Sequence, residues 1–379
     1  MPINIEGVIY DVSDFEHPGG KQMLESAINS NYATIMFQTY HPLTSRAYSV
    51  LKTLPQRPKP LEPPQELPLN SETYIAVEKI ARKYRNIPTD IHTERWLSSC
   101  ALLFITGVAM FCHGSLFLAV PLLVMFKVHM GFTLYHYVHH GGLYKQFPSL
   151  SYYLEIFMNI STYHATEWKR THNILHHVSV NNPLVDEDVF SGMPLIRLHH
   201  SQTLMWYHRY QHIYIWILYA VYGILVIFKG KQKYYFYPVL DIMLYLVTPS
   251  IINGEFLSSL IAYILIKSLS GMIFISVFSV SHNNIDIPKD NNTNCWAKNQ
   301  ITQSINWGGK LSCFLFGGIN YQIEHHLFPN IHPMHYPNLA KEIAPYCKTN
   351  NIQYIHYNKL SQAFTSTVQY IKSLGKPAT

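Results

Sequence analysis

The chain has 379 residues, of which 48% are hydrophobic and only 13% charged, with a formal net charge of +6. This balance excludes a disordered or heavily charged chain and leans towards a membrane, and the 28 tyrosines suit extensive surface at the lipid headgroup level. The basic residues are dispersed, which argues against a nucleic-acid partner and predicts a basic face against anionic lipid.

In chain order, residues 1 to 54 read as a small soluble α+β unit. It has a strand-like start from Ile3 to Val12, the turn sequence His17-Pro18-Gly19-Gly20, and helical material to Leu54. The opening MPINIEGVIY lacks the basic start and apolar core of a signal peptide, which predicts an N-terminus that stays in the cytosol. Six prolines between Pro55 and Pro68 predict a stiff, extended spacer over residues 55–70. From Ser71 to Asn86, Ile75, Val77, Ile80 and Tyr84 alternate with charges at helical spacing, an amphipathic helix leading to the bilayer. Residues 71–379 form the remaining, membrane-embedded unit.

Trp96 to Tyr135 is too long for one span of roughly 20 residues, so the break at His113-Gly114 predicts a tight hairpin of two transmembrane helices. Residues 141 to 209 are polar, aromatic and rich in histidine. Three apolar stretches follow, Ile213 to Phe228, Val239 to Ile252 and Phe256 to Val280. If all the histidines share one side, two of these three cross and one is interfacial; the residues leave open which. The tail from Ile331 to Thr379 is soluble in composition and should cap the membrane domain on its cytosolic face. The five cysteines form no CxxC pair, which fits a reducing compartment.

Histidine is the anomaly, with 22 residues against 22 for Asp and Glu together. Four groups flank the apolar spans: His136-Tyr-Val-His139-His140, His172-Asn-Ile-Leu-His176-His177, Ser281-His282-Asn283 and Gln322-Ile-Glu-His325-His326. Residues i and i+4 share a helix face, so His136 with His140, and His172 with His176, can each direct two imidazoles at one metal. Adjacent pairs diverge by about a third of a turn, so His176-His177 and His325-His326 can serve two neighbouring metals. The pattern points to a dinuclear site. Imidazole suits iron, and also zinc; removing hydrogen from an unactivated methylene, however, needs a redox metal and O₂. His139 stands open between ligand and bystander. His113, His129, His199, His200, His332 and His335 are read as structural or interfacial.

These residues resemble the front-end fatty acid desaturase family over nearly the whole chain. The first histidine box falls on His136 and His140. The second, with Trp168-Lys169 before it and Asn182 and Asp186-Glu187-Asp188 after it, falls on His172, His176 and His177. The third is Gln322-Ile-Glu-His325-His326-Leu-Phe-Pro, whose glutamine marks the front-end branch. Tyr137 stands where the first box usually carries Asp. His282 sits where related membrane desaturases carry a further ligand, and Gln322 is a candidate ligand through a water. The run Val8 to Phe15, His17-Pro18-Gly19-Gly20 and the later His41 resemble cytochrome b5, though the unit is N-terminally short for that family.

The resemblance implies a mainly α, membrane-embedded histidine-box domain behind a small α+β haem domain. It implies two non-haem irons, haem b on axial ligands His17 and His41, and O₂ as co-substrate. Electrons would come indirectly from NADH through cytochrome b5 reductase. The expected reaction places a cis double bond in a fatty acyl lipid or acyl-CoA, in a multi-pass protein of the endoplasmic reticulum with both termini cytosolic. A sphingoid-base desaturase or hydroxylase, or a membrane haem protein that only relays electrons, are the alternatives.

Overall fold

The computed structural model describes residues 1–17, 24–25, 27–28, 33–41, 45–57, 71–85, 87–143, 147–161, 165–228, 236–288 and 295–377. In the N-terminal unit, β1 (Pro2–Ile5) and β2 (Val8–Asp11) form a hairpin about Glu6 and Gly7, both with positive φ. Alternation turns Ile3, Ile5 and Tyr10 inwards towards α1 (Ala33–Tyr40) and α2 (Ser45–Thr53). A third antiparallel strand, β3 (Gln56–Arg57), pairs with β2, so the sheet runs past Leu54 into the stretch expected to be spacer. The remaining spacer, 58–70, and the turn residues Pro18 to Gly20 lie outside the described residues.

Helix α3 (Glu72–Ala81) is capped by Ser71, whose hydroxyl accepts from Tyr74 N. It buries Tyr74, Val77 and Ala81 against protein and leaves Ile75 exposed at 60%. The expected amphipathic helix is therefore present, with its apolar face seated on the core of the C-terminal cap. Of the expected set only Ile75 turns outward, with Tyr74 buried in its place; Val77 is buried and Ile80 and Tyr84 pack against the same core.

Among the described residues, five helices are long and apolar enough to cross a membrane: α4 (Asp90–Cys112), α5 (Leu116–His139), α9 (Trp206–Phe228), α10 (Phe236–Asn253) and α11 (Phe256–Val280). Between α5 and α9 lie α6 (Pro148–Ser161), α7 (Ala165–Trp168, continuing as a π-helical stretch Lys169–His176) and α8 (Glu187–Phe190). The α4–α5 turn needs Gly114, at φ +81°, in the left-handed region. Outward side chains such as Leu102, Phe117, Ile217 and Ile251 are strongly exposed and apolar, as a lipid-facing surface requires.

Both α5 and α11 end at histidines, so they run in the same direction. Helix α9 packs antiparallel on the histidine-proximal half of α11: Gly223 meets Gly271 so closely that a Cβ on either would strike the other's backbone, and Tyr219 Oη reaches Ser279 Oγ. Helix α10 then covers the distal half, with Tyr263 and Lys267 bonded to Asp241 and Ser259 bonded to Asn253. Asn253 also donates to the Phe111 carbonyl at the far end of α4. The three apolar stretches after residue 209 thus resolve into two helices descending in series and one returning. At mid-bundle, Asp241 of α10 meets Lys127 of α5 at 3.5 Å and Lys267 of α11 at 3.2 Å, all buried.

After α11 the chain builds the cap: α12 (Trp296–Thr302), β4 (Asn306–Trp307), α13 (Lys310–Leu315), α14 (Gln322–Leu327), α15 (Tyr336–Thr349), β5 (His356–Tyr357) and α16 (Leu360–Ser373). One hydrophobic core joins this cap to the N-terminal unit: Ile3, Tyr10 and Leu51 belong with Tyr74, Trp296, Ile323 and Leu339.

Candidate metal centre

The four histidine groups converge at the cap-side ends of α5 and α11. Helix α5 switches to a π-helical turn at Gly131–Tyr135 and then presents His136 and His140. The π-helical stretch of α7 presents His172 and His176, and α14 presents His325 and His326. His282 follows α11 directly. All eight box and flanking histidines, 136, 140, 172, 176, 177, 282, 325 and 326, are 5% exposed or less.

Two sets of imidazoles gather so closely that one nitrogen from each lies within 4.8 Å of the others: His136, His140, His172 and His325, and separately His176, His282 and His326. A third, overlapping set contains His172, His176 and Asp188. His177 stands between the two main sets, its Nε2 3.3 Å from His172 Nε2 and 3.1 Å from His325 Nε2, with its ring stacked on His326 at 4.3 Å. His136 Nε2 lies 3.2 Å from His172 Nε2, and His282 Nε2 lies 3.2 Å from His326 Nε2. Two imidazole nitrogens each about 2.1 Å from one ion, at octahedral to tetrahedral angles, stand about 3.0–3.4 Å apart, so this spacing fits two first-row metal ions.

His136 and His140, one turn apart, fall in one set. His172 and His176 do not share a main set. Their rings stack side by side at 5.1 Å and 24°, and His172 falls in the first set and His176 in the second. His325 joins the first set and His326 the second. His139 lies in no set among the described residues; its Nδ1 is 2.7 Å from the Tyr135 carbonyl and its ring packs on Tyr135 at 4.0 Å. Gln322 places its amide nitrogen 2.8 Å from His282 Nε2, and its Oε1 is buried without a hydrogen-bond partner.

Outer contacts fix the ring orientations. Asp186 Oδ2 accepts from His176 Nδ1 at 2.9 Å and from Asn181 N, leaving His176 Nε2 buried without a hydrogen-bond partner on the metal side. His326 Nδ1 is 2.7 Å from Gln300 Oε1, and His282 Nδ1 is 3.3 Å from the Gln303 carbonyl. Asn181, at φ +59°, also donates to the carbonyls of His282 and Gln303, clamping the second box to the segment after α11. Glu324, fully buried beside His325, accepts from Asn306 Nδ2 and Tyr354 Oη, each at 2.8 Å. Burial pushes its carboxyl up to about 7, and those two hydrogen bonds restrain the rise.

Burial, reinforced by neighbouring imidazoles, holds His140, His172, His177, His282, His325 and His326 well below the usual histidine range, in the neutral form that ligates. His176 goes the other way. Burial lowers its imidazole, and the Asp186 carboxylate, with Asp188, more than offsets that.

Asp186 and Asp188 follow the second box closely in the chain, whereas nothing local singles out Asn181, Gln300, Asn306, Glu324 or Tyr354. Their partners sit up to 122 residues away, as in Asn181 to Gln303, where no local spacing could signal them. His129, read as structural, is held by Ser99 Oγ and the Leu315 carbonyl, each at 2.8 Å. His332 and His335 are likewise packed, His332 stacked on Trp96 at 4.7 Å and against Tyr137 at 4.8 Å.

In the N-terminal unit, the His17 and His41 rings meet at 5.7 Å and 88°. His41 Nδ1 is 3.0 Å from the Phe37 carbonyl, which orients Nε2 outward from the helix, and burial lowers both imidazoles below their usual value.

Comparison with known proteins follows the same lines. The fatty acid desaturase family model matches residues 114–358. The chain is 30% identical to the chloroplastic acyl-lipid (7-3)-desaturase of Chlamydomonas reinhardtii, over 97% of this chain and 80% of that protein. It is 26% identical to acyl-lipid (8-3)-desaturase B of Dictyostelium discoideum, over 98% and 91%. It is 24% identical to the sn-1 linoleoyl-lipid 6-desaturase of Arthrospira platensis, over 65% and 74%. The buried donor set fits a di-iron site that uses O₂, the five apolar helices fit a membrane protein, and the chain belongs to the fatty acid desaturase family, oxidoreductases that desaturate acyl lipids.

Proposed function

We propose that this chain is a front-end desaturase, placing a cis double bond between an existing one and the carboxyl end of an acyl chain. The observation that carries the enzymatic reading is the pair of buried histidine sets joined by His177. Gln322 opening the third box, and relatives named as (7-3)-, (8-3)- and Delta(5)-desaturases, support the front-end assignment.

On this reading His136, His140, His172 and His325 would hold one iron. His176, His282 and His326 would hold the other, with Gln322 positioned to steady a water beside it. His177 lies between the two, and His139 packs the ligand helix. Bound iron would supply one-electron redox chemistry with O₂, which no side chain provides. The chain's own residues do the rest. Asp186, Gln300 and the Gln303 carbonyl fix ring orientation, the Glu324–Asn306–Tyr354 network ties the third box to the cap, and the apolar helices exclude water from the reacting methylenes.

Residues 1–54 act as the haem unit, with His17 and His41 as axial ligands, 55–70 as its spacer and 71–379 as the desaturase unit. The facing imidazoles of His17 and His41 support this assignment. Electrons enter from NADH through a cytochrome b5 reductase, and the protein resides in the endoplasmic reticulum with both termini in the cytosol. Replacing His325→Ala should abolish product formation and lower bound iron while leaving the membrane fold intact by circular dichroism. A fully active variant with its iron retained would overturn the assignment.

A further inference from the structure

Helices α9 and α11 and the start of α16 enclose an apolar groove of about 330 Å³, within the range of about 300–1,000 Å³ that ligand pockets take. Trp216 forms one wall, Ile273, Ser276 and Val280 form another, and Leu360 and Phe364 roof it from the cap. The polar atoms of the lining are turned back into their own helices: Trp216 Nε1 donates to the His212 carbonyl and Ser276 Oγ to the Met272 carbonyl. The groove therefore offers an occupant hydrocarbon contact and no side-chain hydrogen bond.

Helix phase separates this groove from the metal centre. Phe278 turns its ring towards His172, His176 and His282, at 5.7, 5.5 and 5.4 Å. At about 100° per residue, Ile273, Ser276 and Val280 fall on the opposite side of α11. A chain lying in the groove has the width of that helix between it and the ligating histidines, so the groove is not the path of the reacting methylenes.

Its surroundings name the occupant. Both α9 and α11 are long and apolar enough to cross the membrane. Ile213 and Ile217, before and after Trp216, are exposed, so the groove continues the lipid-facing surface. Trp206 and Tyr210, exposed at the cap-side start of α9, suit headgroup level, and Trp216 lies about 9 Å further along at about 1.5 Å per residue, among hydrocarbon. Lys359, exposed and next to Leu360, sets a cation at the cap-side edge, where it complements a phosphate.

We propose that this groove binds one acyl chain of a bilayer glycerophospholipid, separate from the substrate path, and that the bound lipid braces α16. Phe364 packs its ring on Trp216 at 4.9 Å and is still 38% exposed, so a chain in the groove covers it. The brace reaches the segment after α11, because Ser366 Oγ donates to Asn284 Oδ1 at 2.8 Å, close behind His282. The site goes beyond the proposed reaction and is independent of which acyl position is desaturated.

The test uses the full chain, loaded with iron, in phosphatidylcholine nanodiscs with a trace of phosphatidylcholine carrying a diazirine near the middle of one chain or, in a parallel sample, near its carboxyl end. After illumination, peptide mass spectrometry should find label on residues 272–280 and on Leu360 or Phe364 several-fold more densely than on Leu102, Ile105 and Met125, which are exposed on other helices. Ser276→Trp fills the groove and should bring its labelling down to the level of those three positions, with iron per chain and product formation as in the parent. In detergent, added phosphatidylcholine should raise the melting temperature of the parent more than that of Ser276→Trp.

Groove labelling in the parent no denser than at Leu102, Ile105 and Met125 is ordinary bilayer contact and overturns the site, as does labelling that Ser276→Trp leaves unchanged. Crosslinks from the groove to a second copy of the chain overturn it in favour of a protein contact. Where Ser276→Trp does not fold, Ser276→Leu, a smaller filler on the same wall, replaces it, and the parent's label map decides by itself. Iron and product are measured on the same samples, so loss of desaturation with the groove still labelled refutes the enzymatic reading and leaves the lipid site standing.

Discussion

Replacing Asp186→Asn isolates what the buried carboxylate does for one half of the metal centre. Asp186 is fully buried and accepts three hydrogen bonds: His176 Nδ1 at 2.9 Å and Asn181 N at 2.9 Å on one oxygen, and Asp188 N at 3.0 Å on the other. An amide of the same shape must turn its NH₂ towards one of these donors, so a buried donor loses its acceptor. Losing an outer partner of a ligating histidine typically costs about 10- to 100-fold in metal affinity, or about 1.4–2.8 kcal/mol. The loss should be selective, because His176 belongs to the set with His282 and His326, and among the described residues Asp186 hydrogen-bonds to no histidine of the other set. Iron per chain measured after dialysis against graded chelator should therefore show one ion released at about 10- to 100-fold lower chelator than in the parent, and the other held. Asp188, with its side chain 41% exposed and 3.5 Å from His176 Nδ1, should shift that midpoint far less when changed to Asn. If Asp186→Asn releases both irons together, or neither earlier than the parent, this account of the outer contacts is wrong.

The remaining expectations concern other parts of the molecule. Asp241→Leu strands Lys127 and Lys267 in the bundle and should lower stability in detergent by about 3–5 kcal/mol, while the triple change Lys127→Met, Asp241→Leu, Lys267→Met should recover most of it. Equal thermal stability of the single and triple variants would show that the charges do not depend on one another. Burial, then the neighbouring His335 and His92, lowers the His332 imidazole from 6.5 to about 3. The unfolded chain therefore takes up a proton that the folded one refuses as pH falls below 6.5, and stability is lost in that window. At about pH 5 the loss is about 2 kcal/mol, and His332→Gln should flatten the stability-versus-pH curve by that amount. His139→Ala should keep both irons by metal analysis, because its imidazole is engaged with Tyr135 and stands outside both sets.

Much of the site could be read from spacing because histidines placed on helices advertise their direction. His136 and His140 are one turn apart and converge, and the neighbours His325 and His326 point to different sets. In the π-helical stretch Lys169–His176 spacing leaves more than one grouping: His172 and His176 stack side by side and meet in one set with Asp188, while each also joins a different main set. The membrane hairpin broken at Gly114 was legible from hydropathy and one glycine. The series descent of α9 and α10 was not, because its cause is long-range: Gly223 against Gly271, and Asp241 against Lys127 and Lys267. Ile75 and Tyr74 look alike to a periodicity argument; Tyr74 is the one that turns inwards, against Trp296 and the core around it.

The π-helical turn at Gly131–Tyr135 separates two jobs that one rod would otherwise have to share. A regular helix advances about 100° per residue, so removing one residue from this turn would swing His136 and His140 about a quarter-circle away from His172 and His325. With the turn in place, the lower part of α5 keeps the angular phase that its neighbours in the bilayer demand, and the upper part keeps the phase that the metals demand. Substitutions can then accumulate on the hydrocarbon side of this span without rotating a ligand, as in a shaft fitted with a coupling between engine and load.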